Sequence, residues 1–308
     1  MNVEELKSLQ SEIIKKNRTC NLIGIFLFLI VVTIIISISI INGIPEFSFV
    51  FLFIAAIFSI LITSIIKGIV NGKNIETFND NFKKLFVLKA LEKSFSDLKY
   101  KNEGFNEDFI SKTGMIDLAD SYESNDYVSG QYKDIKFEQA DVHIQERHEE
   151  TDSDGDTRTV WVTIFEGRIM VFDFNKPFKS NIQIVSRGFS ASSFWDKKVL
   201  KVAMEDINFN KNFTVFAESE HEAFYILTPN FMEKIQNVSQ KLNCSTMFGF
   251  LNSKLLVAID NREDSFEYNP LKVINEQDIE NNIQNDIKVI TDLVDDLNLD
   301  NDLFRKEG

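Results

Sequence analysis

Two apolar stretches follow one another near the start of the chain: Leu22–Ile41, LIGIFLFLIVVTIIISISII, and Phe47–Ile66, FSFVFLFIAAIFSILITSII. Each is twenty residues long and carries no charge. A helix of that length spans about 30 Å, the thickness of the hydrocarbon core of a bilayer. The segment between them, Asn42–Glu46, is rich in turn-forming residues. Together the stretches predict an antiparallel transmembrane helical hairpin.

The charges beside the hairpin predict its orientation. Five basic residues stand just outside the two spans: Lys15, Lys16, Arg18, Lys67 and Lys73. The connector holds one ionisable residue, Glu46. Because basic flanks stay in the cytoplasm, we expect both termini to be cytoplasmic and the protein to lie in the cell membrane with two spans. A cleaved signal peptide is the alternative, but its apolar core would be shorter, about 7–15 residues, and a small-x-small cleavage site would follow it.

Composition narrows the class of partner. The net charge is −14, and it is unevenly distributed. Residues 1–101 hold twelve Lys/Arg and eight Asp/Glu, whereas the remainder holds twenty-one and thirty-nine. Such an acidic region repels nucleic acid, so we expect no nucleic-acid partner. Cys20 and Cys244 are too few for a disulfide framework or for a zinc site of their own, which agrees with a reducing compartment.

The spacing of apolar residues divides the rest of the chain. Asn71–Tyr100 repeats at three and four, which predicts an amphipathic helix. From Tyr122 to Glu218 the period changes to two, which predicts short antiparallel strands, with Gly130–Phe137 among them. The predicted sheet core consists of Ile135, Phe137, Val142, Ile144, Val160, Val162, Ile164, Ile169, Val171, Ile182 and Ile184.

Beyond the sheet, a helix is predicted to open at Thr228-Pro229 and run to Leu242, followed by two strands, Thr246–Leu251 and Lys254–Ile259. An acidic helix begins near Asn275. Its apolar seam has coiled-coil spacing and consists of Ile283, Ile287, Ile290, Val294 and Leu297, with Asn301 and Phe304 in register. Aspartates line both edges of the seam and would repel in a homodimer. We therefore predict that this helix folds back on its own chain, against the helix at Asn71–Tyr100, whose outer face offers Lys83, Lys84, Lys89 and Lys93.

The densest group of candidate ligands consists of His143, Glu146, His148, Glu149, Asp152, Asp154 and Asp156. Asp152-x-Asp154-x-Asp156 has the spacing of a calcium loop, but Thr157 and Thr163 stand where that loop needs Gly and Glu. The interpretation we favour is a polar hairpin tip with its turn at Asp154-Gly155. A weak metal site is the alternative.

No catalytic motif is present: the chain lacks a phosphate loop, a Gly-x-Ser-x-Gly elbow and His-Glu-x-x-His. His221, with Glu218, Glu220 and Glu222, is interpreted as a solvated connection rather than an acid–base site, and Trp195 as a packing residue rather than an exposed anchor. The small residues Ala55, Ser59 and Thr63 form a stripe that lets another helix approach, including the first helix of the hairpin itself. We assign no catalytic, cofactor-binding or metal-binding residue.

Three motifs resemble a known family: Ile164–Lys176 (IFEGRIMVFDFNK), Phe209–Ala217 (FNKNFTVFA) and Ala223–Met232 (AFYILTPNFM). The family is an uncharacterised bacterial one, the domain of unknown function number three-one-three-seven, and the likeness spans roughly residues 70–270 plus the order of the hairpin. The resemblance implies a charged N-terminal helix, a two-span hairpin and a β-rich cytoplasmic domain. It implies no activity.

Together these features predict an α+β protein, an N-terminal transmembrane helical hairpin followed by a cytoplasmic antiparallel β domain with flanking amphipathic helices, a pleckstrin-homology-like barrel being one form of that domain. The expected divisions are an N-terminal amphipathic segment 1–21, the hairpin 22–66, a connecting helix 67–100, the β-rich domain 101–270 and the acidic helix 271–308. We expect a membrane-anchored binding or scaffold module, not an enzyme, with the bilayer and an unidentified protein as partners. The alternatives are an enzyme at the inner membrane surface using His143, His148 and nearby carboxylates, and a structural subunit of a membrane complex.

Overall fold

A computed structural model describes residues 1–42, 48–151, 155–174, 178–190 and 199–300. The chain forms two compact units. The first unit comprises Met1–Lys89 and Glu267–Asn281, and the second comprises Ala90–Phe266 and the chain from Asn282 onward.

The first unit contains the predicted hairpin. Helix α1 runs from Val3 to Asn42 and helix α2 from Ser48 to Phe82, followed by a π-helical turn at Lys83–Val87. Both helices are long and apolar enough to cross a membrane. Large apolar side chains are exposed along them, with Phe26, Phe53 and Ile65 as examples. Such a surface is costly in water and favourable in lipid. The connector Asn42–Glu46 lies almost entirely outside the described residues.

The two helices pack through the small-residue stripe of α2. Ala55 is buried, and Ser59 Oγ donates a hydrogen bond to the carbonyl oxygen of Gly24 on α1, at 3.0 Å. A Cβ atom at Gly24 would lie 2.1 Å from Thr63 Oγ1, so only glycine permits this approach. The first helix of the hairpin therefore uses the stripe, as the sequence allowed.

The N-terminal segment, expected as an amphipathic element over residues 1–21, is part of α1, which continues through it from Val3 without a break. Leu6 and Ile13 are fully buried. Gln10 forms hydrogen bonds with the backbone of Lys272 and Ile274. These contacts hold the start of α1 in place within the first unit. Terminal residues that lack such contacts are usually poorly ordered.

The second unit is built on one antiparallel sheet. Its strands are β1 (Ser96–Glu103), β2 (Ser121–Tyr132), β3 (Ile135–Thr151), β4 (Thr157–Asp173), β5 (Ile182–Ser186), β6 (Leu200–Val202), β7 (Phe213–Ala217), β8 (Ser245–Leu251) and β9 (Lys254–Asp260). Their order is β1-β2-β3-β4-β9-β8-β5-β7-β6. A closed pleckstrin-homology-like barrel would pair the edge strands β1 and β6. Within the described ranges they do not pair, so the sheet is open.

The described part of the chain contains six more helices: α3 (Leu88–Ser94), α4 (Glu107–Thr113), α5 (Ile207–Asn212), α6 (Glu220–Ile226), α7 (Pro229–Leu242) and α8 (Glu276–Leu297). The start predicted for α7 is confirmed, since Thr228 Oγ1 accepts a hydrogen bond from the amide of Phe231 and Pro229 occupies the first turn. The strands predicted at Thr246–Leu251 and Lys254–Ile259 are confirmed as β8 and β9, one residue longer each.

Two predicted boundaries are wrong. The connecting helix was expected to reach Tyr100, but it ends at Ser94 and β1 begins at Ser96. In β1, Leu98 and Tyr100 are half-buried between exposed neighbours, which is the period of a strand. The predicted strand Gly130–Phe137 contains the turn between β2 and β3. Lys133 and Asp134 both have positive φ, 47° and 65°, as a two-residue type I′ turn requires.

The two faces of the sheet bury different side chains. One face packs against α4 and the residues after it, through a cluster that includes Ile110, Met115, Val142, Phe165 and Ile169. The other face is rich in phenylalanine and carries α7, whose Phe231 ring meets Phe250 edge-on at 6.0 Å.

The C-terminal helix buries its seam against its own chain. Its docking against the helix at Asn71–Tyr100 stays a prediction. The seam residues Ile283, Ile287, Ile290, Val294 and Leu297 are all at most 4% exposed. Within the second unit, its aspartates pair with cations that the prediction did not name: Asp292 and Asp296 with Lys241, Asp295 with Lys133, and Asp286 with Arg168. In the first unit, Lys83 pairs instead with Glu267. Asn301 and Phe304 lie outside the described residues.

Candidate functional site

The predicted ligand group falls on the β3–β4 hairpin, but its two histidines do not converge. His148 lies five positions after His143 on β3, about 17 Å along an extended strand. Because side chains alternate, the two imidazoles point to opposite faces. His143 Nε2 lies 3.1 Å from Thr163 Oγ1, and His148 Nε2 lies 3.2 Å from Glu146 Oε2. Each ring has a local partner on its own face.

The carboxylates near these histidines are equally dispersed. Glu149 lies 3.2 Å from Arg147, and Glu150 binds Arg158 at 2.7 Å. All four side chains are more than half exposed, so these pairs contribute little to stability. Asp152 and Asp154, at the predicted tip, lie outside the described residues, and Asp156 is exposed. The described members of the group lie along the β3–β4 hairpin, as the favoured interpretation expected, and its turn at Asp154-Gly155 falls partly outside the described residues.

This hairpin projects beyond the sheet as an arm, which we define as Glu146–Thr151 together with Thr157–Thr163. Strand β2 stops pairing with β3 at Gln145, and β9 stops pairing with β4 at Arg168. Among the described residues, β3 and β4 pair only with each other in the arm, from Glu146↔Val162 to Thr151↔Thr157. A two-stranded ribbon without a third neighbour has no core of its own.

The arm exposes apolar residues that the sequence pattern placed in the core. Trp161 is 49% exposed and Val162 is 43% exposed, while Val160 and Ile164 are half-buried. The prediction that Val160 and Val162 belong to the buried core is therefore wrong, whereas Ile164 is half-buried and packs against the core cluster. Alternation assigns each side chain to a face of its strand, but it does not tell whether another layer covers that face.

The base of the arm is held firmly. Arg147 N donates to Asp120 Oδ2 at 2.7 Å, Ser190 Oγ donates to the carbonyl of Ile164 at 2.7 Å, and Arg262 Nη1 donates to the carbonyl of Thr163 at 3.1 Å. Just below, Gly167 has φ +151°, and a Cβ there would lie 2.1 Å from the carbonyl oxygen of Ile259. These contacts fix the point at which the ribbon leaves the sheet, so that Trp161 is presented by an anchored element.

The residues around His221 serve the local fold. Glu218 accepts hydrogen bonds from Asn181, and Ser219 caps α6. Glu222 accepts from the amide of Lys179 at 3.1 Å. His221 itself is exposed. This arrangement agrees with the connection predicted from the sequence. Trp195 lies outside the described residues.

Sequence reasoning missed a buried polar network on the sheet face opposite α4. Carboxylate oxygens of Asp126, Asp141 and Asp264 all lie within 4.8 Å of one another. Each already has a donor: Tyr100 Oη for Asp126, Ser265 Oγ for Asp141 at 2.6 Å, and Asn125 Nδ2 for Asp264 at 3.2 Å. Three carboxylates at this spacing have the chemistry to surround a cation. Because they are engaged by protein donors, we interpret the group as structural.

Arg168 joins this network to α8. Its side chain is 5% exposed, with Nε 3.9 Å from Asp141, and its guanidinium donates to both the carboxylate and the carbonyl oxygen of Asp286. Asp286 also accepts from the amide of Phe266, at 3.0 Å. Burial raises the pKa of Asp141 to about 8, although the attraction of Arg168 opposes the shift. The members stand far apart in the sequence with no fixed spacing, so no motif could have revealed them.

The fold and the arm define a class of protein: a helical hairpin suited to a membrane, joined to an antiparallel sheet domain that displays an anchored ribbon. Residues 163–299 match the family described as Protein of unknown function (DUF3137). The match contains the three motifs quoted above and confirms the family resemblance. The match begins within β4 and ends just beyond α8. Both its first and its last residue lie further along the chain than those of the range 70–270 expected from the motifs.

The comparisons with curated proteins and with solved structures add little information about function. No curated protein matches the chain. Among solved structures, the crystal structure of the mycobacterial trehalose monomycolate transport factor A, TtfA, is similar at 10% sequence identity and a TM-score of 0.37, over 71% of this chain and 94% of that one. No conclusion about function follows from a likeness of this degree.

Proposed function

We propose that this chain is a membrane-anchored binding or scaffold module whose sheet domain lies in the cytoplasm and contacts a protein partner through the arm. One observation carries the proposal: an anchored two-stranded ribbon exposes Trp161 and Val162, at 49% and 43%, outside any core. Tryptophan contributes more than most residues to the energy of protein interfaces, since it buries a large surface at low entropic cost. The ion pairs beside it provide a polar rim.

Catalysis has weaker support. The enzyme alternative depends on His143 and His148 acting together, and these side chains face opposite sides of β3. Metal analysis of the purified full-length protein tests that alternative directly. Stoichiometric zinc or manganese, lost in a His143→Gln variant, would favour an enzyme over the binding module.

The arm's role is tested by site-specific photocrosslinking in native membranes. A photoreactive residue at Trp161 should give a discrete crosslinked protein, whereas the same residue at Ile207 should not. Ile207 is the matched control because it is 71% exposed on α5, away from the arm. Once the crosslinked protein is identified, its co-purification with the full-length chain provides a second measurement. Trp161→Ala should reduce that recovery by about tenfold or more, the loss typical of an interface hot spot.

Two results would count against the arm. Equal crosslinking from Trp161 and Ile207 would show only crowding at the domain surface. Undiminished recovery with Trp161→Ala would place the partner elsewhere, and the hairpin would then be the next surface to examine, as expected for a structural subunit.

The proposed orientation has its own test. The basic flanks favour cytoplasmic termini on both sides of the hairpin. A reporter enzyme that is active only outside the cytoplasm should therefore give no signal when it is fused after Gly308. A fluorescent protein that matures only in the cytoplasm, fused at the same position, is the matched control and should be bright. The reverse pair of signals would overturn the orientation.

A further inference from the structure

A groove runs along the hairpin between α1 and α2, on the cytoplasmic half of the spans in the proposed orientation. Its volume is about 490 Å³, and it is lined by Asn21, Gly24, Ile25, Phe28, Ala56, Ser59, Ile60, Thr63, Ser64 and Lys67. From Ala56 to Lys67 the helix rises by about 16 Å, which matches much of one lipid acyl chain. The groove belongs entirely to the first unit.

The interior of the groove favours an apolar ligand. The hydroxyl of Ser59 donates to Gly24 O at 3.0 Å, and that of Thr63 donates to Ser59 O at 2.7 Å. Both hydroxyl protons are thus used within the hairpin. Ile25, Phe28, Ala56 and Ile60 supply apolar walls. A hydrocarbon chain fills such a space without competing for the hydrogen bonds of Ser59 and Thr63.

The positive charge at one end of the groove favours an anionic ligand. Lys67 and Asn21 both line the groove, and within the described ranges Lys67 forms no ion pair. Lys15, Arg18 and Lys73 add positive charge at the same end of the spans. A lysine at the membrane boundary attracts anionic headgroups.

We propose that this groove binds one anionic phospholipid, with an acyl chain between the helices and the phosphate at Lys67 and Asn21. A second hairpin is the competing occupant. In a common membrane orientation, however, it would bring its own basic end to the same level as Lys67, and the like charges would repel. The proposal rests on membrane insertion of the hairpin and is independent of the arm.

Native mass spectrometry of the full-length protein in mild detergent tests this site. The probes are dioleoyl phosphatidylglycerol and dioleoyl phosphatidylcholine, which differ only in their headgroups. We expect one bound phosphatidylglycerol, held more tightly than phosphatidylcholine. Lys67→Gln should weaken the binding of phosphatidylglycerol about fivefold and leave that of phosphatidylcholine unchanged, the effect expected for one lysine near an anionic headgroup. Ala56→Leu should reduce both by filling the groove.

Lys73→Gln is the matched control, because Lys73 is a basic residue of the same end that does not line the groove. An equal loss in Lys67→Gln and Lys73→Gln would show a diffuse attraction and overturn the site.

Competition by glycerol 3-phosphate, which has no acyl chains, would point to a free phosphate site instead. A shift from dimer to monomer in sedimentation with Ala56→Leu, without a change in lipid binding, would assign the groove to a second copy. Failure of the protein to float with liposomes would refute membrane insertion itself, separately from all of these.

Discussion

Replacing Ile169 with aspartate should unfold the sheet domain. Ile169 is fully buried in the cluster between the sheet and α4. An unpaired carboxylate at that position costs several kcal/mol, a large part of the roughly 5–15 kcal/mol that holds a typical domain together. Limited proteolysis of the full-length protein in membranes should then digest the sheet domain of Ile169→Asp under conditions in which the unmodified chain keeps a resistant fragment.

Val162→Asp is the matched control. It makes the same chemical change on the same strand, but Val162 is 43% exposed in the arm, so the new carboxylate stays in water. We expect its proteolysis pattern to match that of the unmodified protein, since surface substitutions usually change stability by about 0.5 kcal/mol or less. If the two variants were digested alike, the boundary between sheet and arm drawn at Gln145 and Thr163 would be wrong.

The second large effect is expected at Arg168. Replacing this residue with leucine leaves the carboxylate of Asp286 without its cation and removes the hydrogen bond to the backbone of α8. Breaking a buried ion pair by removing one partner typically costs about 3–5 kcal/mol. The urea midpoint for proteolysis of the sheet domain should fall markedly, and α8 should become accessible to protease before the rest of the domain.

Arg158→Leu provides the comparison on the same strand. Arg158 pairs with Glu150 at 2.7 Å, but its side chain is 77% exposed, so the loss should be below about 1 kcal/mol. Restoring neutrality tests the mechanism further. Asp286→Asn in the Arg168→Leu background should recover part of the midpoint, because it removes the unpaired charge. Without any recovery, the loss would come from packing of the arginine and not from its charge.

The hairpin could be predicted from sequence because its determinants are local. A run of twenty uncharged apolar residues has few stable environments, and Leu22–Ile41 and Phe47–Ile66 each form one. Short-range signals likewise located α7, β8 and β9, since a capping threonine, a proline and alternating side chains act within a few residues. The seam of α8 predicted a buried face for the same reason.

The sequence did not reveal which alternating strands are covered. Val162 and Ile169 lie in one continuous β4 and are both β-branched, yet one is exposed and the other is buried. The difference arises because β2 and β9 stop pairing before the arm, and pairing partners are chosen across long separations in the chain. The mistaken end of the connecting helix has a similar origin. Leu98 continues the helical spacing, but its neighbours Ser96 and Lys99 pair with β2, so the segment forms a strand.

The candidate sites divide in the same way. The exposed polar group on β3 was visible in the sequence as a cluster, and only the sheet geometry showed that His143 and His148 face apart. The network of Asp141, Arg168 and Asp286 was invisible because its members come from two strands and a helix, up to 145 positions apart, as the numbering shows. Burial, which gives these charges their energetic weight, exists only once the sheet and α8 have come together. Local sequence patterns thus specified the helices, the strands and their apolar faces. Long-range pairing decided which of these faces are buried in the core, which are exposed in the arm, and where buried ion pairs form.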